Sequence, residues 1–166
     1  MRILGIDPGT LRVGYGVIDA GVTRSRALVY AVVTCDPRAS VADRLARVFE
    51  ALRRAIDEHA PDAVAIEDGF VGPNPRSALR IGEGRGAAMV AASSAGLPVH
   101  AYAPSVVKRS VAGTGRAGKH PVAEMVRALL GLPELPPADA ADALAVALCH
   151  AQHAEVEARG LGLLAR

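Results

Sequence analysis

Apolar and polar positions along the chain change period several times, and each change marks an element. Ile3-Leu4-Gly5-Ile6 is an unbroken apolar run that stops on Asp7 and turns at Pro8-Gly9. Short apolar runs bounded by turn residues read as buried strands. Val13 to Asp19 (VGYGVID) alternates apolar residues with glycine, as a strand approached closely by another backbone would. After the turn signal Asp19-Ala-Gly21, Ala27 to Thr34 (ALVYAVVT) reads as a third strand. From Ser40 the period lengthens. Ser40 and Asp43 resemble a capping box, and Leu45, Val48, Phe49, Leu52 and Ile56 recur at helical spacing. Arg44, Arg47, Arg54 and Asp57 fall off that stripe, and Pro61 closes the helix. Asp62 to Glu67 repeats the opening pattern, an apolar strand ending on a carboxylate.

The second half is mostly helical. Ser77 to Ala95 predicts a helix crowded with small residues and ended by Gly96. A short strand spans Val99 to Tyr102, and a short helix runs from Pro104 through Val111. Gly113 to Gly118 reads as a loop, and Lys119 to Leu130 as a helix with Pro121 in its first turn. Pro133, Pro136 and Pro137 form a stiff connector to a last helix that starts near Asp139 and passes His150. The short links between the first three strands predict antiparallel pairing, and helical crossovers predict that strands one, four and five are parallel. The expected fold class is α/β, a five-stranded mixed sheet flanked by helices on both faces. We expect one domain over residues 1–158 and a disordered tail over 159–166.

Composition narrows the picture. The chain has 166 residues, 51% of them hydrophobic, and no Trp, so aliphatic residues must fill the core. Net charge is only +2, yet from Arg76 to Arg127 eight Lys or Arg residues face two acids, Glu83 and Glu124. That local excess suits either a polyanion-binding face or ordinary solvated helix surface. Cys35 and Cys149 are isolated, which argues against a disulfide framework or a zinc site and fits a reducing compartment. The histidines lack metal-ligand spacing, and His150 and His153 read as helix surface or packing residues. No secretory leader is visible, and Gly86 to Val99 is too short and interrupted to span a bilayer. A soluble, cytoplasmic protein with no membrane partner is expected.

The carboxylates carry the chemistry. If the first and fourth strands are neighbours, Asp7 and Glu67 end side by side, about 5 Å apart at the backbone. Two acids that close repel unless a proton or cation intervenes. Asp139 and Asp142 lie three residues apart, hence on one helix face, in an Ala/Leu/Val helix where charge is expensive. Ordinary explanations exist for two of them: Asp7 suits a turn before Pro-Gly, and Asp139 suits a helix N-terminus. Asp142 has no such excuse. Oxygen-only ligands favour Mg²⁺ or Mn²⁺ over zinc. A pair of such ions about 3.5–4 Å apart can drive phosphodiester hydrolysis, and nucleotide handling is the other chemistry open to such a cluster.

Four stretches together, GIDPGT at 5–10, AIED at 65–68, APSVVKRSVAG at 103–113 and ADAADALAVALCHA at 138–151, resemble the RuvC-type Holliday-junction resolvases of the RNase H-like nuclease group. The resemblance covers about residues 1 to 155. It implies an RNase H-like fold, a homodimer, and Mg²⁺-dependent paired nicking of a four-way DNA junction in recombination and repair, with two ions per site and Mn²⁺ able to substitute. It implies catalytic, metal-holding roles for Asp7, Glu67, Asp139 and Asp142, and branch-migration partners of the RuvA and RuvB type. Its two lysines fall on Lys108 and Lys119, and its aromatic beside the second acid on Phe70. Asp68-Gly69 and Gly118 depart from the family pattern, the first adding a fifth acid beside the others.

Lys108 and Lys119 are the only lysines in the chain, and a compact ammonium suits a point contact with phosphate. Phe70 reads either as a core cap or as a wedge that stacks on a base. Arg76, with Arg80 and Arg116, is a candidate for DNA backbone contact. The small-residue helix either packs on its own sheet or, as the resemblance suggests, serves a dimer interface. The rival readings are an actin-like or sugar-kinase ATPase lobe, an RNase H-like nuclease acting on RNA ends, and a non-catalytic DNA-binding module. The chain shows no second phosphate loop and is too short for two lobes, and a pure binder gains nothing from gathering acids against DNA.

Overall fold

The computed structural model describes residues 1–68 and 75–160. Its strands are β1 (Arg2–Asp7), β2 (Arg12–Ala20), β3 (Ser25–Thr34), β4 (Ala63–Glu67) and β5 (Val99–Tyr102). Its helices are α1 (Val41–His59), α2 (Pro75–Ser93), α3 (Pro104–Ala112), α4 (Lys119–Leu130) and α5 (Ala138–Ala158). The sheet order is β3-β2-β1-β4-β5. β1 pairs antiparallel with β2 and parallel with β4, and β4 pairs parallel with β5, so the mixed sheet read from the link lengths is the one that forms.

Side-chain alternation gives each strand two destinations. Leu4, Ile6, Val13, Val17, Val64 and Ile66 face α1 and α2, where Val48, Leu52, Ala88 and Ala91 complete a core. Ile3, Ile18 and Ala65 face the other way, against Val107 of α3, Val126 of α4 and Leu144 and Val146 of α5. By the same parity Gly5 and Asp7, Gly14 and Gly16, and Glu67 belong to the α5 side. These strand glycines are there because α5 lies almost on the backbone. A Cβ at Gly5 would collide with the Ala143 carbonyl, one at Gly14 with the Asp139 carbonyl, and one at Gly16 with the Leu144 side chain.

One detail of α1 differs from expectation. Arg44 is buried, 8% exposed, although it stands off the predicted stripe. The helix is rotated so that its buried face runs through Arg44, Val48, Leu52, Ala55 and Ile56, leaving Leu45 and Phe49 half-covered. Arg44 lays its aliphatic stem along this face, and its guanidinium Nη1 donates to the Pro37 carbonyl at 3.4 Å. As expected, the helix stops short of Pro61: it ends at His59, and Ala60 caps it in a left-handed conformation (φ 44°), its N–H donating to Ile56 O. At the other end the Ser40 hydroxyl accepts from the Asp43 N–H at 3.1 Å and donates to its Oδ2 at 2.7 Å, so the cap closes through the two side chains.

Cys35 and Cys149 are both free and buried. His150 is a packing residue: its Nδ1 lies 2.7 Å from the Tyr102 hydroxyl, its ring stacks on His100, and burial pushes its pKa down to about 4. His153 is exposed, with Nδ1 2.8 Å from the Cys149 carbonyl. Among the described residues no helix is long and apolar enough to cross a membrane. Of the expected tail, residues 161–166 lie outside the described residues.

Candidate active site

Parallel pairing of Ile6 with Ile66 brings the C-terminal ends of β1 and β4 level, which sets Asp7 beside Glu67. On its other side Asp7 is paired with Gly14 of β2. The bare backbone at Gly14 admits the first turn of α5, so Asp139 and Asp142 arrive over the same strand ends. α3 and α4 then close the wall. A cavity of about 140 Å³ results, lined by Asp7, Glu67, Asp142, Lys108, Lys119, Pro104, Val107, Val122 and Ala145. A larger concavity of about 540 Å³ lies at the far end of the sheet among Ala20, Val22, Leu129, Leu148 and Ala151, with Glu155 its one acid. The density of charge, rather than volume, marks the smaller one as the candidate site.

The electrostatics show how costly the cluster is. The Asp7 carboxyl is pushed up to about 7, first by burial and then by the negative charges of Glu67, Asp142 and Asp139, against a smaller opposing pull from Lys119. Glu67 is also pushed up to about 7, by burial and then by Asp142, opposed by Lys119 and Lys108. Cations hold the α5 acids. Lys119 Nζ donates to Asp142 Oδ2 at 2.8 Å, and this bond raises the lysine's pKa. Arg12 Nε donates to Asp139 Oδ2 at 2.6 Å. Asp139 therefore sits at the margin of the cavity rather than in its wall. Among the described residues no three His, Cys, Asp or Glu side chains already converge as a metal-ligating group. The donor set nonetheless suits a hard cation: carboxylate oxygens only, held close, and partly protonated near neutral pH in its absence.

Lys108 and Lys119 both line the cavity, one from α3 and one from the first residue of α4. Phe70 lies outside the described residues, as does the side chain of Arg76 at the start of α2. Arg80 and Arg116 are exposed. The fifth acid, Asp68, is not part of the cavity wall: its Oδ1 pairs with Arg85 Nη2 of α2 at 2.8 Å. Two residues that the sequence reading passed over, Arg12 and Arg85, thus neutralise acids of this region. Arg12 was detectable in principle, since it shares a strand face with Gly14 and Gly16.

A mixed sheet in this order, with acids at the ends of its two central strands and on the helix that crosses them, defines an RNase H-like nuclease. The comparisons with known proteins make the assignment specific. Residues 3–150 match the profile of the family described as crossover junction endodeoxyribonuclease RuvC, and the chain belongs to that family. The crossover junction endodeoxyribonuclease RuvC of Trichlorobacter lovleyi is 53% identical over 150 residues, covering 90% of this chain and 84% of the relative. That of Halorhodospira halophila is 50% identical over 152 residues, covering 92% and 90%. Among solved structures, Thermus thermophilus RuvC in complex with Holliday junction substrate superposes with a TM-score of 0.89 at 41% identity, covering 95% of this chain and 96% of that one. The yeast mitochondrial Holliday junction resolvase shares the fold at a TM-score of 0.68 and 14% identity.

Proposed function

We propose that this chain resolves four-way DNA junctions by metal-assisted hydrolysis of phosphodiester bonds, with Asp7, Glu67, Asp139 and Asp142 as the acids that hold Mg²⁺ or Mn²⁺. The observation that carries this reading is the pair of half-buried carboxyls, Asp7 and Glu67, raised to about 7 in a cavity that also holds Asp142 and two lysines. Bound divalent cations would supply an activated water and stabilise the charge that builds on the leaving oxygen. The protein's own part is to fix carboxylate oxygens on three elements, to keep Val107, Val122 and Ala145 behind them as a dry wall, and to present Lys108 and Lys119 as point charges toward a phosphate.

The remaining roles are proposals of the same kind. Phe70 acts as a wedge against a base near the branch point, and Arg76 contacts the DNA backbone. The enzyme works as a homodimer, so that two sites meet the two-fold symmetry of a junction. The support for this is the outer face of α2, where Leu79 and Val90 are 64% and 59% exposed and Gly82 and Gly86 have open space beside them. The setting is the cytoplasm, with branch-migration proteins of the RuvA and RuvB type as partners.

The experiment is direct. A synthetic four-way junction incubated with the protein and Mg²⁺ yields symmetric nicks, and Asp7→Asn lowers the rate by about 10²-fold or more while still binding the junction. Equal cleavage by the Asn variant would refute the assignment.

A further inference from the structure

Arg12 stands at the first position of β2, on the strand face that carries Gly14 and Gly16. Its Nε reaches across to Oδ2 of Asp139, a residue 127 positions away in sequence. The guanidinium side chain is 57% exposed and the carboxylate 25% exposed. Among the described residues the Arg12 side chain makes no second hydrogen bond or ion pair, so no polar network ties it in place. The guanidinium engages Oδ2 of Asp139 at 2.6 Å and not Oδ1, so it withholds from a metal ion one of the two oxygens and part of the carboxylate's charge. A metal ion and the guanidinium therefore compete for Oδ2 and for the charge of the carboxylate, and the cation on the long exposed side chain is the one able to leave. A guanidinium released at the rim of an acid-lined site stands where a nucleic-acid backbone must pass, and its donor fork matches phosphate oxygens.

We infer that Arg12 is an exchangeable counter-ion: it holds Asp139, yields that carboxylate to a divalent cation, and then contacts a phosphate of the DNA. The inference rests on the proposed role of Asp139 as a metal ligand. Arg12 acts on the metal through Asp139, so it is a positioning residue in that respect, and its signature is a change in cation affinity of the free protein.

The full-length protein without DNA is titrated with Mn²⁺ by calorimetry and by electron spin resonance. Arg12→Met tightens Mn²⁺ binding about two- to five-fold, the range expected for removing a half-exposed ion pair. Arg12→Lys stays near the wild-type value, and Asp139→Asn weakens binding. Junction binding is then followed against NaCl with Ca²⁺ present. Arg12→Met reduces the salt slope by about one phosphate contact. If Asp139→Asn weakens Mn²⁺ binding while Arg12→Met leaves it equal or weaker, the pair is merely structural and the exchange is wrong. Tightening without a change in salt slope removes the phosphate contact. Unchanged Mn²⁺ affinity in Asp139→Asn overturns the ligand role itself, and the exchange with it.

Discussion

Asp7 and Glu67 are each held well above their usual values of 3.8 and 4.5, at about 7, and burial is the main cause in both. The folded chain keeps protons there that the unfolded chain releases. Their contribution to stability is therefore fully present below about pH 4 and is lost as pH rises to about 7. Without divalent cations the melting temperature should fall between pH 5 and pH 8, and Glu67→Gln should flatten much of that decline. Adding Mg²⁺ at pH 8 should restore stability in the wild type. The same linkage makes cation binding release protons, so affinity should drop steeply below pH 7. Scanning fluorimetry across pH, with chelator or with Mg²⁺, reads all of this; a flat metal-free profile would remove the claim that the two acids are strained together. Phe70→Ala belongs to the same scale. It should leave Mn²⁺ binding intact and abolish junction cleavage, and unchanged turnover would count against a wedge.

At the scale of elements, the site depends on how closely α5 rides on β1 and β2. Gly14→Ala forces a Cβ against the Asp139 carbonyl, so the first turn of the helix must lift. Such overpacking should destabilise by about 1–3 kcal/mol and lower cleavage more than that loss of stability explains. Gly82→Ala is the control for packing within one chain, where nothing lies within 4 Å of the added atom, and is measured on the monomer. It sits in an exposed helix interior and should stabilise by about 0.5–1 kcal/mol. Urea denaturation beside a cleavage assay separates the two. The sequence already carried most of this level. Apolar runs ending at Asp7 and Glu67 and the alternation of glycine in β2 foretold both the strand ends and the close approach. Arg44 was misjudged because helical periodicity fixes the spacing of a stripe but not its rotation against the sheet. Arg12 was missed because the alternation of β2 puts it on the α5 face but does not name its partner, which lies 127 residues away. The placing of Asp68 against Arg85 likewise depended on how α2 packs.

For the whole molecule, charge and copy number decide how DNA is met. The stretch rich in Lys and Arg supplies α3 and α4 on one side of the cavity, whereas Arg85 is already taken by Asp68. Junction binding should weaken steeply with salt, with a slope that reports the number of phosphate contacts. A shallow dependence would argue for recognition by something other than the DNA backbone. Gly86→Arg on the outer face of α2 has room in the monomer but none in a close two-fold contact. It should convert a dimer to a monomer in sedimentation while leaving Mn²⁺ binding untouched. A wild-type chain that sediments only as a monomer at micromolar concentration would dispose of the interface.

The order in which the chain is made gives the crossing helix a further meaning. Asp7 leaves the ribosome well before α5, which begins at Ala138. Until that helix is made, the nascent protein lacks Asp139 and Asp142. With all four acids needed for the proposed cleavage, a nascent chain stays harmless to nearby DNA until that helix has been made.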